Sequence, residues 1–76
     1  MKPGIYLSTK YYHKNRKVCT YILLIGKNEY GRYDYTDLTT KYSGSFQPHS
    51  ITADSLKLIH ECNPDKAIDL YPEYFI

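Results

Sequence analysis

Five residues of this chain have side chains that hold metals in other settings: Cys19, Cys62, His13, His49 and His60. A structural zinc site usually shows paired ligands two to four residues apart. The only local pair is His60 and Cys62, and on a helix two side chains at that spacing point about 160–200° apart around the axis. No metal and no cofactor is expected. Nucleophilic chemistry has no better footing. Ser43-Gly44-Ser45 lacks the glycine that precedes the serine of a nucleophile elbow. Cys19 falls in an apolar run, where a thiol is ordinarily inert packing. Asp65 and Asp69 stand one helical turn apart and read as a solvated face. The glycines are scattered and none opens onto a helix as a phosphate-binding loop does. The expectation is a protein with no catalytic residues.

The densest constellation is Lys10-Tyr11-Tyr12-His13-Lys14-Asn15-Arg16-Lys17. Cations neutralise phosphates, and aromatic faces stack on bases of any identity. Alternation along the flanking segments places Tyr6, Lys10 and Tyr12 on the outer face of a first strand. Tyr30 and Arg32 fall on the corresponding face of a third. The candidate binding residues are therefore Tyr6, Lys10, Tyr12, Lys14, Arg16, Lys17, Tyr30 and Arg32, a set of rings and cations suited to single-stranded nucleic acid. The plainer reading is a solvated hairpin tip with lysines guarding a sheet edge. A further reading starts from the 10 tyrosines, beside no tryptophan. Tyr and Arg are enriched at protein interface hot spots, because they combine contact area with hydrogen bonding at modest entropic cost. The leading expectation is a non-enzymatic protein-binding module, an inhibitor or adaptor. The alternative is a small single-stranded nucleic-acid-binding protein.

Charge is unevenly placed along the chain. Residues 1–38 sum to +4 and residues 39–76 to −2, within a total of +2. Such asymmetry bears on partners and encounter rates rather than on fold. An acidic C-terminal half could meet a basic groove on a target protein. A total of +2 is well short of a strongly basic nucleic-acid binder.

The elements that must position these residues read as follows. Residues 4–12 alternate, with Ile5, Leu7 and Thr9 on one face, and predict a strand. His13–Arg16 suits a turn. Val18–Ile25 is apolar on both faces and predicts a central, covered strand. Gly26-Lys27-Asn28-Glu29 marks a reversal. Residues 30–36 predict a third strand, and Tyr42 and Phe46 fit a short fourth. Short connections make this an antiparallel meander. With Thr52 as cap, Leu56, Leu58, Ile59 and Cys62 trace an apolar stripe that predicts a helix ending near Cys62, its His60 turned to solvent. Asn63 then caps a further short turn opened by Pro64, and Pro72 stops it. The apolar tail Glu73-Tyr74-Phe75-Ile76 is expected to dock on the body.

The fold class expected is α+β. A three- or four-stranded antiparallel sheet carries one C-terminal helix, and a further short helical turn follows. With 76 residues, the chain reads as a single small domain, 1–76. A domain of this size buries only about 60% of its unfolded surface, so tyrosine rings must complete the core. A homodimer would be one remedy for so thin a core. No stretch reaches the roughly 20 apolar residues of a membrane span, and the N-terminus lacks an apolar segment of signal-peptide length. A cytoplasmic protein with no membrane partner is expected. There, Cys19 and Cys62 would be buried free thiols; on export they could pair. In size and lack of motif the chain resembles small phage or mobile-element inhibitors of host machinery.

Overall fold

Five strands form one antiparallel sheet in the order β4-β3-β2-β1-β5. They are β1 (Gly4–His13), β2 (Arg16–Lys27), β3 (Tyr33–Asp37), β4 (Ser43–Phe46) and β5 (Leu56–Glu61). The structure, a computed structural model, describes residues 1–13 and 16–75, with side chains at all of these except 10–13, 16–18, 51 and 52. The first four strands follow one another as the predicted meander, and β2 takes the middle of the sheet. The third strand starts later than the alternation suggested, because Tyr30 and Arg32 belong to the turn before it.

The fifth strand corrects the expected helix. A single turn, α1 (Ile51–Asp54), forms where the helix was to begin. Its cap is Ser50 rather than Thr52: the Ser50 Oγ accepts the Ala53 N–H at 3.2 Å. The chain then extends, and β5 pairs with β1 across Gly4–Ser8. The stripe Leu56, Leu58, Ile59, Cys62 satisfies a period of 3.6, but Leu56 and Leu58 also satisfy a period of two. Pairing decides between them, because β5 supplies hydrogen-bond partners to a β1 edge that would otherwise stay open. A register shift leaves Ile59 as an extra residue on β5, between the pairs Tyr6–Leu58 and Ile5–His60. That bulge, with exposed Lys57, makes the new sheet edge a poor template for another strand.

Register assigns the two faces. Tyr6, Ile22 and Leu24 lie on one face, with Tyr33, Tyr35, Phe46 and Leu56 around them. This is the main core: Tyr6, Ile22, Leu24 and Phe46 are buried together, and Ala53 of α1 packs against them. Tyr6 is 5% exposed, which overturns its expected outward placement. Alternation correctly separates it from Ile5 and Leu7 but does not say which face is covered. Its hydroxyl donates to the Lys2 carbonyl, the partner a buried phenol needs.

The opposite face carries Ile5, cross-strand from Leu23 and His60. Ile5 is fully buried, so β1 is covered on both sides at this point. The cover is the C-terminal segment. Asn63 caps it as expected, accepting the Asp65 N–H at 3.0 Å with its side-chain oxygen. Pro64 opens a 3-10 turn, α2 (Ala67–Leu70) follows, and Pro72 starts a last 3-10 turn. Tyr71 and Tyr74 bring this segment onto His60 and Tyr21. The Tyr74 and Tyr21 rings meet edge to face at 4.8 Å, and His60 is half-buried between tyrosines rather than solvated. Gly4 makes the close approach possible. It has φ +148°, and a Cβ there would collide with the His60 carbonyl.

Candidate interaction surfaces

Among the described residues no three of His, Cys, Asp and Glu are placed to hold a metal ion. Both cysteines are free. Cys19 is exposed, a correction to its expected burial: β2 is covered over Ile22 and Leu24, whereas at Cys19 it is flanked by β1 alone, because β3 pairs only with Ile22–Lys27. Cys62 lines an open hollow of about 620 Å³ with Pro3, Glu61, Asn63 and Pro64. Burial pushes its thiol up, in favour of the protonated form. Among the described residues no helix is long and apolar enough to cross a membrane.

The turn between β2 and β3 is built differently from a slack loop. The Asn28 Oδ1 accepts two backbone N–H groups, from Tyr30 at 2.9 Å and Arg32 at 3.1 Å. Its Nδ2 donates to the Asp34 Oδ1 at 3.0 Å. The backbone closes the same loop: Asn28 N–H donates to the Arg32 carbonyl at 2.7 Å, and Gly31 N–H to the Asn28 carbonyl at 3.1 Å. Gly31 supplies the left-handed φ of +76° that the reversal requires. Arg32 ties the turn to β4, donating from Nε to the Ser45 Oγ at 2.9 Å and from a terminal nitrogen to the Ser45 carbonyl at 3.0 Å. On this braced loop Tyr30 stands 79% exposed.

A strip of rings runs from that turn along the β3–β4 hairpin. Tyr33 and Phe46 have centroids 5.8 Å apart, Phe46 and Tyr35 5.7 Å, and Tyr35 and Tyr42 6.3 Å. The Tyr33 hydroxyl accepts from the N-terminal ammonium at 2.9 Å. Tyr42 lies over Gly44, where a Cβ would sit 2.9 Å from its ring. Tyr42 is 62% exposed, so the strip grades from buried Phe46 to a ring in solvent.

The candidate residues read from sequence do not form one surface. Tyr6 is in the core. Tyr30 and Arg32 share the β2–β3 turn, not a strand face. Lys14 lies outside the described residues, as do the side chains of Lys10, Tyr12, Arg16 and Lys17. The backbones of Lys10 and Tyr12 belong to β1 and those of Arg16 and Lys17 to the start of β2. Arg16 and Lys27, the first and last residues of β2, are about 35 Å apart at the usual rise per residue. A register shift between Ser8 and Tyr11 sets Thr9 and Lys10 against Cys19 alone. The positions of Tyr12 and Tyr6 therefore fall on opposite faces of β1, where uninterrupted alternation had joined them.

Sequence reasoning passed over Asn28 and Ser45, which hold Tyr30 in place, and Tyr42 as a strip member. Asn28 had a signal, since an Asn two residues before an exposed ring forms an Asx turn. Comparisons with known protein families, with curated proteins and with solved structures find no match for this chain.

Proposed function

We propose that the protein is a non-enzymatic protein-binding module, an inhibitor or adaptor, that grips its partner with the β2–β3 end of the sheet. Tyr30 is the anchor, Tyr33 follows it at the start of β3, and the strip of rings leads from there to Tyr42 at the other end of that strand. The observation that carries this reading is the pairing of near-complete exposure at Tyr30 with a backbone locked by Asn28. An aromatic ring on a rigid turn loses little freedom when a partner buries it, so most of its contact area converts to affinity. Arg32 uses two N–H groups on Ser45 and keeps others of its five for a partner acceptor.

The test uses wild type and Tyr30→Ala as baits in extract of the native cell. A stoichiometric partner held by wild type and lost from the variant supports the reading; loss of about 2 kcal/mol, or roughly 30-fold in affinity, is the scale of one hot-spot tyrosine. Equal capture by both baits, or no stoichiometric partner for either, rejects it. The expected homodimer is tested by solution mass: if the partner is a second copy, Tyr30→Ala converts dimer to monomer.

A further inference from the structure

The two edges of the sheet are built differently. β5 carries the bulge at Ile59 and exposed Lys57. β4 pairs with β3 in unbroken register and contains neither lysine nor proline. Among the described residues no strand lies on its outer side. The turn before β4 fixes which backbone groups face that side. Lys41, in the left-handed region at φ +64°, donates its N–H to the Asp37 carbonyl at 2.8 Å, and the Asp37 N–H donates to the Tyr42 carbonyl at 2.7 Å. This bulge turns the Tyr42 carbonyl toward β3. Direction alternates along a strand, so Gly44 and Phe46 bond to β3, and the N–H and C=O groups of Ser43 and Ser45 point outward. The Ser45 carbonyl accordingly takes its bond from the Arg32 side chain.

In chemical type this edge reads the same in both directions. Tyr42-Ser43-Gly44-Ser45-Phe46 is aromatic, serine, glycine, serine, aromatic. A two-fold axis at Gly44 sets two copies antiparallel and matches like with like. Ser43 faces Ser45 of the second copy, Gly44 faces Gly44, and Tyr42 faces Phe46. No formal charge lies within these five residues. The flanking Lys41 residues of the two copies fall six positions apart along the strands, about 20 Å.

We infer that β4 is a self-association edge, through which two copies of the chain join their sheets antiparallel. Each Ser43–Ser45 pair exchanges two backbone hydrogen bonds across the axis. The Ser45 carbonyl has a second lone pair for this, beside the one that Arg32 uses. Gly44 lets the strands close. Its pair is of the non-hydrogen-bonded kind, with Cα atoms about 4.5 Å apart, and each Tyr42 ring already lies over its own Gly44. The two rings therefore meet side by side across the axis, within the roughly 4.5–7 Å of an aromatic pair. The strip that ends in solvent at Tyr42 continues into Phe46 of the second copy. On the other face the Ser43 and Ser45 hydroxyls, held at 3.1 Å from Thr36 and 2.9 Å from Arg32, line up across the strands. A strand of another protein meets the same backbone groups, but a second copy also returns the match of ring, serine and glycine. Four residues per strand make an interface below roughly 1,200 Å², so the dimer is reversible. The inference goes beyond the Tyr30 reading and does not rest on it.

Sedimentation equilibrium of the full chain, from about 5 to about 500 μM, tests it. The mass of wild type should rise with concentration from one chain toward two. Ser43→Pro removes an outward N–H that β3 does not use and should stay at one chain throughout. Hydrogen exchange locates the contact: where nine-tenths of the chains are paired, the Ser43 and Ser45 amides should exchange about 10-fold more slowly than in the dilute monomer. A wild type that stays at one chain at about 500 μM overturns the inference. So does a Ser43→Pro dimer as strong as that of wild type, or a dimer whose Ser43 and Ser45 amides exchange at the monomer rate. Circular dichroism verifies that the variant is folded. Should Ser43→Pro fail to fold, Ser43→Lys takes its place: it sets a like charge beside Arg32 of the second copy and should weaken the dimer at least about 10-fold, and an unchanged dimer overturns the inference.

Discussion

The imidazole of His60 lies flat against the ring of Tyr71, with centroids 4.0 Å apart and planes 9° from parallel. Tyr74 meets the same imidazole edge-on at 5.6 Å, its hydroxyl 3.3 Å from Nε2. His60 belongs to edge strand β5, and both tyrosines to the C-terminal segment. The contact therefore does two jobs. It holds the last residues onto the second face of the sheet, and it loads a strand that is paired on one side only.

Removing the stack should loosen both elements together. Tyr71→Ala is expected to cost about 2 kcal/mol, the sum of lost ring burial and the aromatic contact. Tyr71→Phe keeps the stack and should stay within about 0.5 kcal/mol of wild type. Urea unfolding measures both, and hydrogen exchange at β5 amides should speed up in the alanine variant alone.

Alkaline pH should weaken the fold in two stages. Burial raises the Cys62 thiol above its ordinary 9.0. Burial, reinforced by the Glu61 carboxylate, raises the Tyr6 phenol above its ordinary 10.0. In each case the unfolded chain releases its proton first, so it binds fewer protons than the native state. Stability is then fully present below the ordinary value and falls as pH climbs from there through the folded one. Unfolding midpoints measured from about pH 7 to about pH 11 should show the decline beginning near 9. Cys62→Ala should remove its first part, and Tyr6→Phe should flatten the part above 10.0.

Two glycines with similar backbones should respond differently to a methyl group. Gly4 and Gly26 have φ +148° and +151°, so alanine is strained at either. At Gly26 the space is open, whereas at Gly4 the Cβ meets the His60 carbonyl and the Glu61 Cα. Gly26→Ala should cost about 1–2 kcal/mol, and Gly4→Ala at least about 2 kcal/mol more, because β5 must move off β1. Comparable urea midpoints for the two variants would remove the argument that Gly4 sets the β1–β5 approach.

The strands around these glycines were legible because the alternation over residues 4–12 and the apolar run Val18–Ile25 are set off by turn residues, although β1 runs on to His13 and β2 spans Arg16–Lys27, into residues read as turns. The Asn63-Pro64 cap was legible for the same reason: its chemistry is local. What was hidden depends on distant partners. Leu56, Leu58, Ile59 and Cys62 suit a helix until β1 offers an edge, so propensity lost to pairing. Tyr6 was placed on a different face from Ile5 and Leu7, as observed, but in the wrong environment, because the core it joins includes Phe46, 40 residues away in sequence. The bulge opposite Cys19 broke a face count that had joined Tyr6 to Tyr12. Tyr30 and Arg32 were read as strand residues, but the Asn28 side chain extends the reversal by claiming the Arg32 N–H.

That same side chain separates the two roles of the β2–β3 turn. Tyr30 is mostly in solvent, so Tyr30→Ala should change stability by less than about 0.5 kcal/mol. Asn28→Ala removes three hydrogen bonds, two of them to backbone donors, and should cost about 1–2 kcal/mol. If rigidity is what makes Tyr30 an anchor, Asn28→Ala should also weaken partner binding, although the ring is still present and still exposed. The loss should be smaller than for Tyr30→Ala, and the double variant should be no worse than Tyr30→Ala alone, because both changes act through one contact. Additive losses in that cycle, measured by titration calorimetry with the captured partner, would mean that Asn28 touches the partner itself and that the turn is not a pre-formed mount.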